Sequence, residues 1–303
     1  MTSGPRWTGP LLDRLTAQTA WGYRQDGPAA SEPAAWAAMA CLAYGRADRA
    51  AQGLAWLAKV QSADGGVGPT ETEATPCWFT SLATLAWTIS HRHDRHDRYA
   101  PHIRRAVAWS LGSRGKNMPR VPEMGHDTTI PGWAWVDDTH CWIEPTALHV
   151  LALKAAGHGH DARTRDGVRM LVDRLLPDGG CNYGNTLVLG QALRPHVQPT
   201  GITLLALAGD PIHDDRIDKS LDYLAGELSA AMATASLCYG LMGLAAHGRL
   251  PEQAGDWLEV ASRRSLARDP SALKLSLLAL AALGEDCPIL PRKSLSLSGR
   301  ESG

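Results

Sequence analysis

The chain has 303 residues, of which 44% are hydrophobic and 20% charged, and its formal net charge is -1. This composition is that of a globular protein with enough apolar side chains for a large core. The near-zero net charge argues against partners that are bound through bulk electrostatics, so no nucleic-acid partner is expected.

The ends of the sequence and its cysteines bear on location and domain organisation. Met1 to Pro10 lacks the apolar core of a signal peptide, and no run of about 18 apolar residues is present. The 6 cysteines are scattered, which favours reduced thiols. We therefore expect a cytoplasmic protein without a transmembrane segment. A single domain is predicted over residues 1–290, followed by a disordered tail, rich in Ser, Arg and Gly, over 291–303.

One short pattern recurs along the chain: a polar residue, usually Pro, small residues and then an apolar helix. The copies begin at Glu32-Pro33, Thr75-Pro76, Glu144-Pro145, Gln198-Pro199, Thr234-Ala235 and Asp269-Pro270. Pro is tolerated at the first helical position because the N–H there has no intrahelical partner. Glycines that can end these helices follow at Gly45, Gly157, Gly209, Gly248 and Gly284.

Amphipathic segments alternate with these apolar helices. They are Arg49–Val60, Ile103–Leu111, Arg165–Leu175, Arg216–Leu228 and Pro251–Ser262. Helices that are apolar on all sides are buried, whereas amphipathic helices cover them. The sequence therefore predicts an all-α protein, an (α/α)6 toroid of helical hairpin repeats whose inner helices begin at one mouth. An open solenoid is the structural alternative.

Two stretches carry a family resemblance. Gly53-x-x-Trp56 with Gln61 and Asp64-Gly65-Gly66 resembles the QW repeat of squalene–hopene cyclases, in which the Gln ties one outer helix to the next. A weaker copy ends in Asp178-Gly179-Gly180. Over about residues 20 to 285 the chain is thus similar to the terpenoid cyclase and protein prenyltransferase family.

The resemblance implies a terpenoid-cyclase-like enzyme that cyclises an isoprenoid or similar apolar substrate after protonating it, as class II cyclases do. Two alternatives are left open. One is a non-catalytic toroid that binds an apolar ligand or a partner peptide. The other is a prenyltransferase-like enzyme that needs a partner subunit. A homo-oligomer is also left open.

The resemblance further implies a proton-donating carboxylic acid where an inner helix starts. Two alignments of the family's DxDDTA motif compete: one uses Asp137-Asp138-Thr139, and the other, which keeps the phase of the repeat, uses Glu144. We favour Glu144 as the catalytic acid, with Asp137, Asp138 or His140 setting its protonation. The alternatives are that Glu144 only begins a helix, that the Asp pair is a solvated turn and that His140 is a structural imidazole.

Aromatic residues gather near the predicted inner-helix starts, and aromatic faces stabilise cations. The candidate substrate-binding residues are Trp36, Trp78, Phe79, Trp133, Trp135, Trp142, Tyr183 and Gln198. Packing between helices is the alternative for the tryptophans.

No metal site and no cofactor are expected. Phosphate-loop and dinucleotide motifs are absent from the sequence. In the D-x-C position of zinc-dependent prenyltransferases, Thr75 replaces the Asp ahead of Cys77. A polar cluster at His126, Asp127, Asp137, Asp138, His140 and Cys141 matches no known zinc spacing, so a metal there is left open.

Overall fold

The computed structural model describes residues 4–94 and 97–291. Twelve α-helices lie within these ranges. They are α1 (Thr8–Ala17), α2 (Ser31–Ala43), α3 (Ala47–Val60), α4 (Phe79–Asp94), α5 (Ala100–Gly112), α6 (Ile143–Ala155), α7 (Ala162–Asp173), α8 (Val197–Leu207), α9 (Asp215–Glu227), α10 (Thr234–Ala246), α11 (Ala254–Arg268) and α12 (Ala272–Ala281). A two-stranded antiparallel hairpin, β1 (Leu187–Val188) and β2 (Gln191–Ala192), projects between α7 and α8.

The even-numbered helices form a closed inner ring, and the odd-numbered helices cover it. Each inner helix packs against the next, and α12 packs against α2. The first helix, α1, packs on α12 and α2 and so completes the outer ring. The predicted all-helical toroid is confirmed, and the α12–α2 contact excludes the open solenoid. The outer helix α1 was not predicted.

Side-chain hydrogen bonds join the two ends of the ring. The Gln18 amide donates to the carbonyl of Pro270 at 3.1 Å, and the Tyr44 hydroxyl donates to the carbonyl of Ala279 at 2.9 Å. The predicted tail lies outside the described residues, apart from Pro291. The boundary of a single domain at residue 290 stays a prediction.

Burial follows the predicted division between inner and outer helices. In the inner helix α6, 11 of 13 residues are buried, whereas in the outer helix α7 only 4 of 12 are. The glycines predicted to end inner helices have positive φ angles between 54° and 91°, as that role requires. No helix among the described residues is long and apolar enough to span a membrane.

Gln61 joins the outer helix α3 to the outer helix α5. Its side-chain amide donates to the carbonyls of Gly65 and His102, at 2.9 and 3.0 Å. Its side-chain oxygen accepts from the Arg105 guanidinium at 2.5 Å. Because His102 and Arg105 lie on α5, this one side chain fixes the spacing of neighbouring hairpins.

The tight turn after Gln61 offers a test of how α3 packs against α5. Gly65 has a φ of +101°, and a Cβ there would lie 2.4 Å from the Arg105 carbonyl oxygen. We expect Gly65→Ala to lower the free energy of unfolding by about 2 kcal/mol or more, because it adds backbone strain to a steric clash. Urea denaturation would measure the loss.

Gly226 in α9 provides the matched control. No atom lies within 4 Å of a Cβ built there. Gly226→Ala should be neutral or stabilise the helix by up to about 1 kcal/mol. Equal stability of the two variants would contradict the proposed role of the Gly65 turn.

Candidate active site

Inner and outer helices alternate along the chain, and each outer helix returns the chain to the same end of the ring. The six inner helices therefore begin at one end of the toroid, which we call the mouth. Three of these helices start with the same backbone hydrogen bond, in which the residue before the helix donates to an earlier extended residue at 3.0 Å. The pairs are Ala30 to Trp21, Trp142 to Trp133 and His196 to Cys181. The second residue of each helix is therefore equivalent in the three hairpins. These residues are Glu32, Glu144 and Gln198.

The helix starts differ from the predicted ones. Pro33, Pro145 and Pro199 are the third helical residues rather than the first. The polar residue before each Pro therefore lies within the first turn, and no side-chain capping hydrogen bond is formed at these three helices. Glu144 is therefore not the capping residue of α6, and the alternative that it only begins the helix stays open.

Glu32 is a partly exposed carboxyl on α2. The Tyr23 hydroxyl donates to its Oε2 at 2.7 Å. Burial raises the pKa of Glu32 to about 7, although the hydrogen bond from Tyr23 works in the opposite direction. Glu32 therefore titrates near neutral pH instead of near 4.5.

Glu144 is the second carboxyl of the mouth, and it is only 9% exposed. Burial raises its pKa to about 7, and the negative charge of Glu32 adds to the rise. The Gln198 amide donates to its Oε1 at 3.4 Å, a long hydrogen bond that opposes the rise weakly. The helix N-terminus also favours the ionised form, but burial outweighs it.

An aromatic pair lies deeper between the inner helices. Trp36 on α2 and Tyr239 on α10 pack edge to face with ring centroids 5.8 Å apart, and both side chains are buried. Burial raises the pKa of Tyr239, and so do the charges of Glu144 and Glu32. Tyr239 thus lies close enough to both carboxyls for their charges to act on it.

The other predicted acids are exposed and lie on the loop before α6. Asp137 accepts a hydrogen bond from the Ser113 hydroxyl at 2.7 Å, and Asp138 has a left-handed φ of 61°. His140 is exposed and packs edge-on against Trp142 at 6.4 Å. The charge that acts on Glu144 comes from Glu32, and not from the Asp pair that we expected to raise its pKa.

Several predicted aromatic residues lie close to inner-helix starts. Trp78 packs against Phe79 and Trp135, with ring centroids 4.2 and 4.9 Å apart, where α4 begins. Trp142 immediately precedes α6. Tyr183 is exposed, and its carbonyl accepts the Ile143 N–H at 2.9 Å.

Trp133 occupies a different environment. It is fully buried, with its ring stacked on His149 at a centroid distance of 5.0 Å and the Arg163 guanidinium 3.7 Å from the ring centroid. Its indole N–H donates to the Ser110 carbonyl at 2.9 Å. These contacts join α5, α6 and α7, so the side chain has a packing role there.

Glu32, Tyr23 and Tyr239 were not among the residues predicted from the sequence. A signal for Glu32 was present, because Glu32-Pro33 and Glu144-Pro145 occupy the same place in the repeat. Tyr23 lies in the loop between α1 and α2, and Tyr239 sits within an apolar helix that carries no polar pattern. Only the closed ring brings these side chains together.

The sequence matches no protein-family profile and no curated protein. Two similar solved structures are inactive variants of an α-1,6-mannanase, GH76A of Salegentibacter sp. HEL1_6. The first, in complex with α-1,6-mannotetrose, is 13% identical with a TM-score of 0.58, and the match covers 95% of this chain and 100% of that one. The second, in complex with α-1,6-mannotriose, is 11% identical with a TM-score of 0.57, covering 94% and 100%.

These neighbours correct the family resemblance. They are glycoside hydrolases bound to mannooligosaccharides, so the recognition as a terpenoid cyclase or prenyltransferase relative was wrong. The same finding overturns the expected isoprenoid substrate, and it does not support the apolar-ligand, partner-peptide or partner-subunit alternatives. An apolar isoprenoid does not suit the mouth, because two carboxyls, a phenol and an amide lie there.

Proposed function

We propose that this protein is a glycoside hydrolase that cleaves an α-linked oligosaccharide or polysaccharide at the mouth. The observation that carries the proposal is the pair of carboxyls, Glu32 and Glu144, both with a pKa of about 7. Glycoside hydrolysis generally needs one protonated and one ionised carboxyl group on either side of the scissile bond. Two coupled acids that titrate near neutral pH meet that requirement.

The roles of the two acids follow from their surroundings. Glu32 is the more exposed, and it accepts the shorter hydrogen bond, 2.7 Å from Tyr23 against 3.4 Å from Gln198 to Glu144. A hydrogen bond to a carboxylate stabilises the ionised form. Glu32 therefore loses its proton first, and its negative charge then helps Glu144 to keep its own.

In the proposed reaction, Glu144 gives its proton to the glycosidic oxygen as the bond to the anomeric carbon breaks. Glu32 acts at the opposite side of the sugar, as a base towards water or as a nucleophile. Water supplies the hydroxyl group that ends on the anomeric carbon. If Glu32 is the base, it takes the other proton of the water, and exchange with solvent returns a proton to Glu144. If Glu32 is the nucleophile, Glu144 takes that proton directly when water releases the sugar from Glu32. The reaction needs no further reactant.

The mouth offers groups of the kinds that sugars need. Gln198 and Tyr23 can hydrogen-bond hydroxyl groups, and Trp78 and Trp142 directly precede the inner helices α4 and α6. Ligand sites typically combine aromatic surfaces with a few placed polar groups. The mannooligosaccharides of the similar structures make α-linked mannosides the first substrates to try.

The direct test combines binding with turnover. A glycan array identifies the saccharides that the protein binds, and release of reducing ends is then measured on those ligands and on α-1,6-mannotetraose. We expect cleavage of at least one bound saccharide. A protein that binds no saccharide, or that binds one without cleaving it, would contradict the proposal.

Asp137 and Asp138 are an alternative pair of acids for the same proposed reaction and are tested alongside. The similar mannanase structures are inactive when two adjacent aspartates are replaced, and Asp137-Asp138 is an adjacent pair near the start of α6. We favour Glu32 and Glu144, because burial has shifted the pKa of both. The double variant Asp137→Asn and Asp138→Asn should keep most of the activity. If it is inactive while Glu144→Gln remains active, the acids are the Asp pair.

Tyr23 allows a test of the proposed roles through pH. Tyr23→Phe removes the hydrogen bond that lowers the pKa of Glu32. The acid limb of the kcat/KM profile should move up by roughly one pH unit, because a net hydrogen bond is worth about 0.5–1.5 kcal/mol. A kcat/KM that falls at every pH, with no shift of the acid limb, would contradict the assignment of Glu32 as the ionised group.

A further inference from the structure

A small polar cavity of about 90 Å³ lies between the loop before α6 and the segment after α7. Among the residues that line it are Lys116, His126, His140, Cys141, Trp142 and Arg174. This volume leaves room for a few water molecules. It is much smaller than the ~300–1,000 Å³ of sites for whole organic ligands. The cavity can therefore hold a small group but not a sugar ring.

The lining of this cavity is basic. Lys116 and Arg174 are cations, and no Asp or Glu occurs among the described lining residues. Lys116 and His140 are exposed and have no ion-pair partner in the described part of the chain. The nearby Asp127 carboxylate is turned to Thr129, accepting from its N–H at 2.9 Å and its hydroxyl at 2.6 Å.

Arg174 provides a second, independent observation. It is only 5% exposed, its Nη1 donates to the Asp127 carbonyl at 3.2 Å, and it pairs with Asp173. Its buried Nε–H has no hydrogen-bond partner within the residues that the structure describes. An unpaired buried donor is costly, so an acceptor oxygen in the cavity would be favourable.

The same groups are unsuited to a metal ion. Two cationic side chains would repel it, and burial raises the pKa of the Cys141 thiol, which keeps the thiol protonated. No group of three or more potential metal ligands occurs among the described residues. Asn117 and Asn185 add neutral amide groups to the lining, whereas the Thr128 hydroxyl donates to the Pro119 carbonyl at 2.7 Å.

We propose that this cavity binds an oxyanion, namely a phosphate, sulfate or carboxylate group. Trp142 lines it and precedes α6 directly, two residues before Glu144. Asn185 lines it and lies two residues after Tyr183, whose carbonyl accepts the Ile143 N–H. An anion bound in the cavity would therefore lie beside Trp142, the residue before α6, and the first turn of α6 carries Glu144. If the proposed function holds, the group belongs to an anionic sugar substrate, and a free ion is the other source.

The first experiment measures phosphate binding by isothermal titration calorimetry at constant ionic strength, with chloride as the reference ion. We expect Lys116→Gln to weaken phosphate binding roughly tenfold, because it removes a charge-assisted contact. Arg104→Gln is the matched control. It removes the same charge, but Arg104 is exposed on α5 and is not among the lining residues.

Two results would overturn the proposal. One is phosphate binding no tighter than chloride binding. The other is equal weakening by both variants, which would indicate general electrostatic attraction. Lys116 is exposed, so its replacement should not disturb folding.

A second experiment separates the source of the anion from the proposed hydrolysis. Mannose 6-phosphate, inorganic phosphate and mannose are compared as ligands of the wild-type protein and of Lys116→Gln. Tighter binding of the sugar phosphate, lost in Lys116→Gln, supports an anionic substrate. Binding of phosphate alone identifies a site for the free ion.

The two proposals can fail separately. Phosphate binding in a protein that cleaves no saccharide removes the proposed function and leaves the cavity assignment. Saccharide cleavage without phosphate binding removes the cavity assignment and leaves the function. Glu144→Gln should bind phosphate as tightly as the wild type, because Glu144 is not among the residues that line the cavity.

Discussion

Replacement of Glu144 by Gln is expected to lower the turnover number by roughly 10²- to 10⁴-fold, the usual contribution of a general acid. Gln has nearly the same shape, and Gln198 shows that an amide fits the equivalent place of the neighbouring helix. The variant should therefore fold, but it cannot protonate a glycosidic oxygen. Initial rates on the saccharide identified by the array would measure the loss.

Glu252→Gln is the control for this prediction. Glu252 is exposed and precedes α11, and its replacement removes the same charge far along the chain from the mouth. That variant should retain wild-type turnover. A folded Glu144→Gln protein with full activity would exclude Glu144 as the acid and shift attention to Asp137 and Asp138.

The second large effect concerns stability against pH. Glu144 has a folded-state pKa of about 7 against 4.5 for the free side chain, so the folded protein binds more protons between these values. Stability from this group is fully present below pH 4.5 and is lost as the pH rises through 7. At 1.36 kcal/mol per pH unit, the loss is about 3 kcal/mol for Glu144 alone. Glu32 shifts in the same direction.

The double variant Glu32→Gln and Glu144→Gln should remove this dependence. Its free energy of unfolding should exceed that of the wild type by several kcal/mol at pH 8 and approach it near pH 4.5. Urea denaturation at a series of pH values would measure the difference. Parallel pH curves for the two proteins would show that the mouth does not hold the carboxyls in their protonated form.

The fold was predictable because its signals are local. A Pro in the first turn, an apolar run and a terminal Gly recur in the sequence, and each has a direct backbone cause. The exact helix starts were not predictable from Pro alone, because Pro is tolerated throughout the first turn. The helix α1 was missed because its buried Leu11, Leu12 and Leu15 form only one short apolar stripe.

The proposed site was only half predictable. The repeat phase selected Glu144, but its partner Glu32 lies in the first inner helix, and their proximity depends on how many hairpins close the ring. The motif that suggested a terpenoid cyclase joins outer helices, as Gln61 does between α3 and α5. Such residues report on architecture, and architecture is shared by enzymes with unrelated chemistry.

The seam between the two ends of the ring has a consequence for the order of folding. The Gln18 side chain hydrogen-bonds to the Pro270 carbonyl, and α1 packs on α12. The helix α1 therefore cannot reach its final position until α12 has been synthesised. During synthesis, the earlier hairpins can stack as an open arc. The long loop that this seam closes costs chain entropy, which the final contacts must offset. The mouth is therefore completed last, and the proposed activity should appear together with ring closure rather than gradually as hairpins are added.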